Sequence, residues 1–552
     1  MKYTNRYLYL FLLVIITGTL QPLKAQETIT EQLTIHTNKS YYITGDLLSY
    51  KVYLPSVFKD KRKAIRACFM KSDKSLIHES FLTINEKNSG NSTFVIPVDL
   101  SSGMYHLILS SYHKERDKEI ILAEVFVPIY SDLKEDLNTL QESVSNENIF
   151  VPSSKINMEI NLDNSNPRIG NTLNATINVD DTNGNSVSSD ASVTILDKAQ
   201  QIKGYHTIHS FPSIDSETVD GLSEEIYLNG YIKSNLNNEV KKFPVIAIYS
   251  TSENKFSYLQ TNDLGRFSYT SKDYDGIKNV QFINYDEEQI NITITKPEVS
   301  STSPPLVVTE EILAYLDWSR KRRKIAQVFK IASPEIKEQQ TSWQKSEIKN
   351  SQKYTIDNYE SFPDISTLFT EVISPLRIKK LDDGSYKASV FNRQDGFRGF
   401  FEGTPIFIID GLITKDASYV NGLDLNQIES INIIADLPTL RKSYGPIGQS
   451  GVIYINTTLP EVRLPNNEMD NILNLNGYRS VNLVMNTTLS NNVAPNFDTN
   501  IYWEPSLETN KNGELNFQFN HTDDRGEFII EVVSRSEDGH ISKSTKIYRV
   551  AK

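Results

Sequence analysis

The chain has 552 residues, 38% of them apolar and 10% aromatic, with a net charge of −12. At about 150 residues per domain, that length points to roughly three to five domains. Ordinary Gly and Pro usage excludes collagen-like and wholly disordered chains. The acidic balance disfavours a nucleic-acid partner, because binding a polyphosphate begins with a basic surface.

Lys2 and Arg6 supply the positive end before the apolar run "YLYLFLLVIITGTL" at 7–20, and "LKA" follows with a small residue at Ala25. The pattern predicts a signal peptide over residues 1–25, removed on export. Leu23 departs from the small-x-small rule, and a retained anchor is the alternative. An anchor needs about 20 apolar residues; this run is shorter and is broken by Gly18. No later stretch is long and apolar enough to span a bilayer, so no transmembrane segment is expected after cleavage. Cys68 is the one cysteine, so no internal disulfide can form despite export. That suits a bacterial envelope protein better than a large secreted eukaryotic one. Cys68 itself reads as a small buried apolar residue.

Residues 27–132 read as a β-sandwich. "LLSYKVYL" at 47–54 places Tyr50, Val52 and Leu54 on one face and Ser49, Lys51 and Tyr53 on the other. Further strands, "YHLILSSY" and "ILAEVFVPIY", are bounded by turns such as "SSG". An acidic linker follows at 133–153. Residues 155–200 form a second β region, where "NATINVDDTNGNSVSSDASVTILD" predicts a hairpin about an Asn-Gly turn. Residues 201–225 read as a loop and 226–296 as a third β unit. Residues 305–330 carry the best helical period, with Ile312, Leu313, Leu316, Ile325, Val328 and Phe329 on one face and Thr309 as N-cap. Residues 361–458 read as mixed α/β, and 498–552 return to β. No fixed-period repeat is present. The fold class expected is mainly β and multidomain: tandem sandwiches plus one α/β module, without a transmembrane barrel.

"IHTNKSYYITGDLLSYKVYL" at 35–54 resembles the second macroglobulin-type domain of the alpha-2-macroglobulin family, through His36, Lys39, Tyr42 and the Gly45-Asp46 turn. Asn38 stands where that motif more often has Asp. Residues 226–296 resemble the carboxypeptidase regulatory-like module through "LNGYI" and "TNDLGRFSY". Residues 361–458 resemble the plug of TonB-dependent outer-membrane receptors, in "PIFIIDGLI", "LDLNQIESINII" and "YGPIGQSGVIYINTT". The positions carrying that resemblance are Asp410, Gly411, Glu429, Tyr444, Gly445 and Gly451. It implies that Asp-Gly closes a hairpin and that the Gly-rich loop precedes the last strand. Residues 498–552 resemble a late macroglobulin-type sandwich. Together these modules resemble Bacteroidota envelope proteins. A receptor barrel of about 22 strands needs ~220 strand residues, whereas 94 follow Thr458. The plug-like module is therefore expected to work as a soluble domain or inside another chain's barrel.

Catalytic and metal motifs are absent from the sequence. Phe69 after Cys68 rules out a Cys-Gly-x-Gln thioester, and no His-Glu-x-x-His, Gly-x-Ser-x-Gly or P-loop occurs. His206 and His209 lack a third ligand nearby, and "DDTNGN" at 180–185 lacks the downstream acid of a calcium loop. No cofactor, metal or catalytic residue is assigned. "RKRRK" at 320–324 is either a solvated helix face or a contact for an acidic partner or lipid headgroup. Trp343 is an interface anchor or packs on a neighbour. The function expected is non-catalytic binding or scaffolding in the cell envelope, periplasmic or outer-membrane-associated with surface exposure open. Its expected partners are envelope proteins, an outer-membrane β-barrel among them. An accessory plug subunit working with a separate barrel is the alternative.

Overall fold

The computed structural model of the chain describes residues 31–551 apart from 134–149, 151, 236–239, 287–288, 301–302, 330, 332–339, 342, 344, 346, 357–361, 393–398, 459–463, 465, 480–484 and 487–494. The expected signal peptide and most of the acidic linker lie outside the described residues. The described chain is mainly β, in facing sheets, and none of its helices is long and apolar enough to cross a membrane.

Alternation builds the first sandwich. Strand Leu47–Tyr53 sends Tyr50 and Val52 inward to join Leu33, Ile35 and Phe69 in one core. It lies between Leu33–Thr37 and Ser89–Val95. The facing sheet runs through Lys118–Tyr130, Gly103–His113, Ile65–Lys71 and Leu76–Leu82. Cys68 is buried, on the outer face of that sheet with Met70, Ile108 and Val299. The turn at Gly45 has φ +91°, a left-handed conformation that a Cβ would strain.

Residues 201–225 are not simply a loop. Ile208–Phe211 is an edge strand of the first sandwich, with His209 opposite Ile35. Ser216–Gly221 is a short helix whose cap, Asp215, accepts from the Thr218 amide. Ile208 and Phe211 are too few to register as a period.

The expected division between residues 155–200 and 498–552 is corrected by the structure, because the two segments form one sandwich. Thr172–Asp181 pairs with Ile156–Leu162 on one side and with Glu514–Asn520 on the other. Ser189–Asp197 lies between Tyr502–Glu508 and Gly526–Ser536, and Ile541–Val550 completes that sheet. The core is shared: Ile177 and Val193 from one segment meet Leu515, Ile530 and Val532 from the other. The Asn-Gly turn does form, with Asp181 accepting from the Asn183 and Asn185 amides. Its two strands pair only beside the turn, where Asp180 bridges Ser186 and the Val187 amide donates to the Val179 carbonyl, and then diverge into opposite sheets. From Ser189 to Leu196 every residue is buried, so that strand needs cover on both faces. Turn chemistry fixes the turn; burial decides the partners.

The third sandwich sets Ile226–Ser234, between Arg266–Ser271 and Ile290–Ile294, against Ile246–Ser250, Lys255–Leu259 and Ile277–Asn284. A returning strand, Ile472–Asn476, pairs with the last of these. The α/β module has a five-stranded sheet in the order Gln352–Thr355, Ile428–Ile434, Val452–Thr457, Ile406–Ile409, Leu412–Thr414. Its first strand lies before the expected boundary at 361. Helices Ile365–Glu371 and Ala417–Asn421, capped by Asp364 and Asp416, cover one face together with the hairpin Leu376–Lys380/Tyr386–Asn392. After the third sandwich, Tyr478–Arg479 pairs with Phe81–Leu82 at the edge of the first. The chain then re-enters the second sandwich, so the third sandwich and the α/β module form an insertion within it.

Candidate functional site

The motif residues of the N-terminal sandwich converge on a buried seam. The face of Leu47–Tyr53 that carries Ser49, Lys51 and Tyr53 is buried, with its Lys51 and Tyr53 set against the sheet of Ser189–Asp197 in the second sandwich. His36 is fully buried. Its Nδ1 lies 2.6 Å from the Ser192 hydroxyl and its Nε2 3.3 Å from Glu531, with Trp503 edge-on at 5.2 Å. Glu531 also receives Lys543 at 2.6 Å and the Thr207 hydroxyl. Lys51 donates to Asp190 at 2.5 Å and to the Ala191 carbonyl at 3.2 Å. The other Asp190 oxygen accepts from Ser89 at 2.7 Å. The Tyr53 hydroxyl reaches Ser192 and the Val533 carbonyl. Arg535 donates to the carbonyls of Leu54, Asn88 and Lys87.

Lys39, Tyr42, Gly45 and Asp46 extend the seam. Lys39 is almost wholly buried and donates to Asp46 at 2.8 Å and to Thr499 at 2.7 Å. Asp46 also accepts from the Ile43 amide at 3.0 Å, which closes the Gly45 turn. Asn38 accepts from the Tyr42 hydroxyl and the Ser49 amide, and donates to Asn500 at 3.0 Å. A neutral amide can donate and accept at once, which this position requires and a carboxylate could not supply.

The charges are held by one another. Burial raises the Glu531 carboxyl, but the His36 hydrogen bond and the Lys543 charge outweigh it and hold it at about 2. Burial pushes Lys51 down to about 8, with Asp190 opposing. Burial likewise lowers His36, against the Glu531 bond. Buried groups of this kind add little net stability when paired, but removing one partner strands the other and costs much.

The helix Glu310–Phe329 bolts the seam from the side. Ile312, Tyr315 and Leu316 pack on Tyr41, Tyr130 and Tyr205. Arg322, also buried, donates to Asp524 of the second sandwich at 2.8 Å and lies over the Tyr315 and Trp318 rings. Arg323 forks onto Asp132 at 2.7 and 3.0 Å and donates to the Thr44 carbonyl, both in the first sandwich. The basic run is therefore chiefly an internal clamp, neither a plain solvated face nor a free anion site. Val328 and Phe329 are exposed despite their helical spacing, Val328 by 76%.

The α/β module's marked residues gather at a second joint. Asp410 and Gly411, at φ +46° and +83°, turn the hairpin between Ile406–Ile409 and Leu412–Thr414. Asp410 accepts from the Thr457 amide at 3.0 Å. Half-buried Trp343 packs where a Gly411 side chain would sit. Glu429 pairs with Lys345 on the surface. Tyr444 bonds Tyr454 at 3.0 Å, while its carbonyl accepts from the Tyr258 hydroxyl of the third sandwich. Gly445 lies under the Tyr258 ring and Gly451 against Val390, neither with room for a Cβ. Around them Ile406, Ile408, Ile434 and Leu440 pack on Ala247 and Tyr249 of the third sandwich. Gln281 bonds both the amide and the carbonyl of Ile413.

Among the described residues, no group of three or more His, Cys, Asp or Glu side chains could hold a metal. His209 lies in its edge strand, held down to about 4 chiefly by burial. The sequence reading did not single out Asp190, Ser192, Glu531 or Arg535. The available signal was an acid within an apolar run, "IIEVV", and polar residues alternating through "SDASVTILD".

No family model and no curated protein matches the chain. Among solved structures, Salmonella alpha-2-macroglobulin reacted with methylamine is 8% identical, with 95% of this chain and 39% of that one covered, at a TM-score of 0.24. The native conformation of E. coli alpha-2-macroglobulin is 9% identical over 95% of this chain and 40% of that one, also at 0.24. The E. coli adhesin FdeC is 10% identical over 51% of this chain and 64% of that one, at 0.14. The chain spans about two fifths of the length of these macroglobulins.

Proposed function

We propose that this chain is a non-catalytic scaffold of the cell envelope that binds a partner at the outer membrane through its α/β module and sandwiches. The modules are read as macroglobulin-type, carboxypeptidase regulatory-like and receptor-plug-like. One observation carries the reading. The sheet of the α/β module is covered on one face by its own helices and on the other by the third sandwich. A module so seated presents a fixed outer surface. A gate that enters a separate barrel would first have to leave that seat, exposing Ile406, Ile408 and Tyr249 together.

A disulfide across the seat tests this. Gln281→Cys with Ile413→Cys would lock the α/β module to the third sandwich. Partners are cross-linked in native membranes and identified from locked and reduced protein. The scaffold predicts the same partner at the same yield in both states. Capture of a barrel by the reduced form alone would favour the accessory-plug reading.

A further inference from the structure

Two residues of one strand pair and a third 197 residues beyond the first form a relay on the outer face of the first sandwich. His106, in Gly103–His113, is fully buried. Its Nδ1 lies 2.7 Å from Glu124 on the neighbouring strand Lys118–Tyr130. Its Nε2 lies 2.9 Å from the hydroxyl of Ser303, on the segment crossing from the third sandwich to the long helix. Phe126 holds the imidazole edge-on at 5.3 Å. The Ser300 amide donates to the same Glu124 oxygen at 3.2 Å. The Ser72 hydroxyl, which donates to the Met104 carbonyl, lies 3.3 Å from the Ser303 hydroxyl.

In the neutral ring, a carboxylate that can only accept takes the Nδ1–H bond, which leaves the Nε2 lone pair facing Ser303. A hydroxyl on a base that is itself oriented by a third group is the arrangement of an activated nucleophile. We propose that Ser303 is a nucleophilic serine, with His106 as its base and Glu124 as the positioning residue, that captures an acyl group from an activated ester. The Ser303 oxygen forms a bond to the acyl carbon and the bond from that carbon to the leaving oxygen breaks. The hydroxyl proton passes to His106 Nε2 and then to the leaving oxygen. Ser72, released from Met104, is the nearby hydroxyl donor for the developing oxyanion. Water activated at the same base would hydrolyse the Ser303 ester; His106 is fully buried, and the acyl group on Ser303 closes its Nε2 to water, so the event is capture without turnover. This chemistry is independent of the scaffold reading and adds a covalent contact to it.

The test uses the full chain with a fluorophosphonate probe and, separately, p-nitrophenyl acetate, followed by peptide mapping. The expected result is one label per chain on Ser303, a single burst of nitrophenol and no label in Ser303→Ala. His106→Asn should slow labelling by about 100-fold or more. Glu124→Gln should slow it less and change its pH dependence while the label stays on Ser303. Thermal melts establish that each variant is folded. For wild type alone, labelling must exceed that of the denatured chain. Absence of label, label elsewhere, or equal labelling of Ser303→Ala would overturn the proposal and leave Ser303 as a pin for the crossing segment.

Discussion

Where the first and second sandwiches meet, the facing side chains are Lys51 and Asp190, His36 and Glu531, Tyr53, Ser192 and Arg535. Where the third sandwich meets the α/β module, they are Tyr249, Ile406, Ile408, Leu440 and Tyr454. The first joint is specified by paired charges and hydrogen bonds, each of which requires its partner. The second rests mainly on apolar area, which depends on shape and volume and tolerates similar side chains; the bonds that cross it, from Gln281 to Ile413 and from Tyr258 to Tyr444, are uncharged. The two should therefore fail under different conditions.

The largest contrast is expected from deleting one charge. Glu531→Ala leaves Lys543, His36 and Thr207 without their acceptor, and should cost ~4 kcal/mol, read as a lower midpoint in urea. An equal stability in the variant would mean the seam's charges are not coupled as their geometry indicates.

Acid should separate the joints next. Glu531 is depressed in the folded chain, so its contribution is fully present above pH 4.5 and is lost as pH falls toward about 2. The loss is on the order of 3 kcal/mol. His36, lowered by burial, adds in the same direction, because falling pH asks a buried neutral ring to take a proton. Hydrogen exchange should show Leu47–Tyr53 and Gly526–Ser536 losing protection on acidification before Ile406–Ile409 and Val452–Thr457 do. Glu531→Gln should flatten that pH dependence.

The smallest effect belongs to the apolar joint. Ile408→Ala should cost about 2 kcal/mol from lost burial and a partly collapsed cavity. The loss should be nearly the same at pH 4 and pH 7 and at low and high salt. A strong salt dependence there would erase the distinction between the joints.

This difference also explains how much of the molecule is legible in the sequence. The alternation of Tyr50, Val52 and Leu54 against Ser49, Lys51 and Tyr53 is visible because a strand has a period of two. What covers Lys51 is not visible, since its partner Asp190 is 139 residues away. The helix at 310–329 could be read from its spacing, but Arg322 and Arg323 take their meaning from Asp524 and Asp132 on different sandwiches. The Asp410-Gly411 turn and the strands around it follow from local chemistry. The joining of 155–200 to 498–552 does not, because each segment alone reads as a complete run of alternating strands. His106, Glu124 and Ser303 likewise meet only after the sheet and the crossing segment are in place.

The second sandwich is one body, closed by the two ends of chain that flank a long insertion. Thr176 and Asn516 are opposite one another in adjacent strands from those two ends, and the Thr176 hydroxyl donates to Asn516 at 2.8 Å. With cysteines at both positions, mild oxidation of the folded chain should form the 176–516 disulfide in nearly every molecule, with Cys68 still free and buried. If both new thiols instead remain open to alkylation while the protein stays folded, the two segments are not neighbours and the nested architecture is wrong.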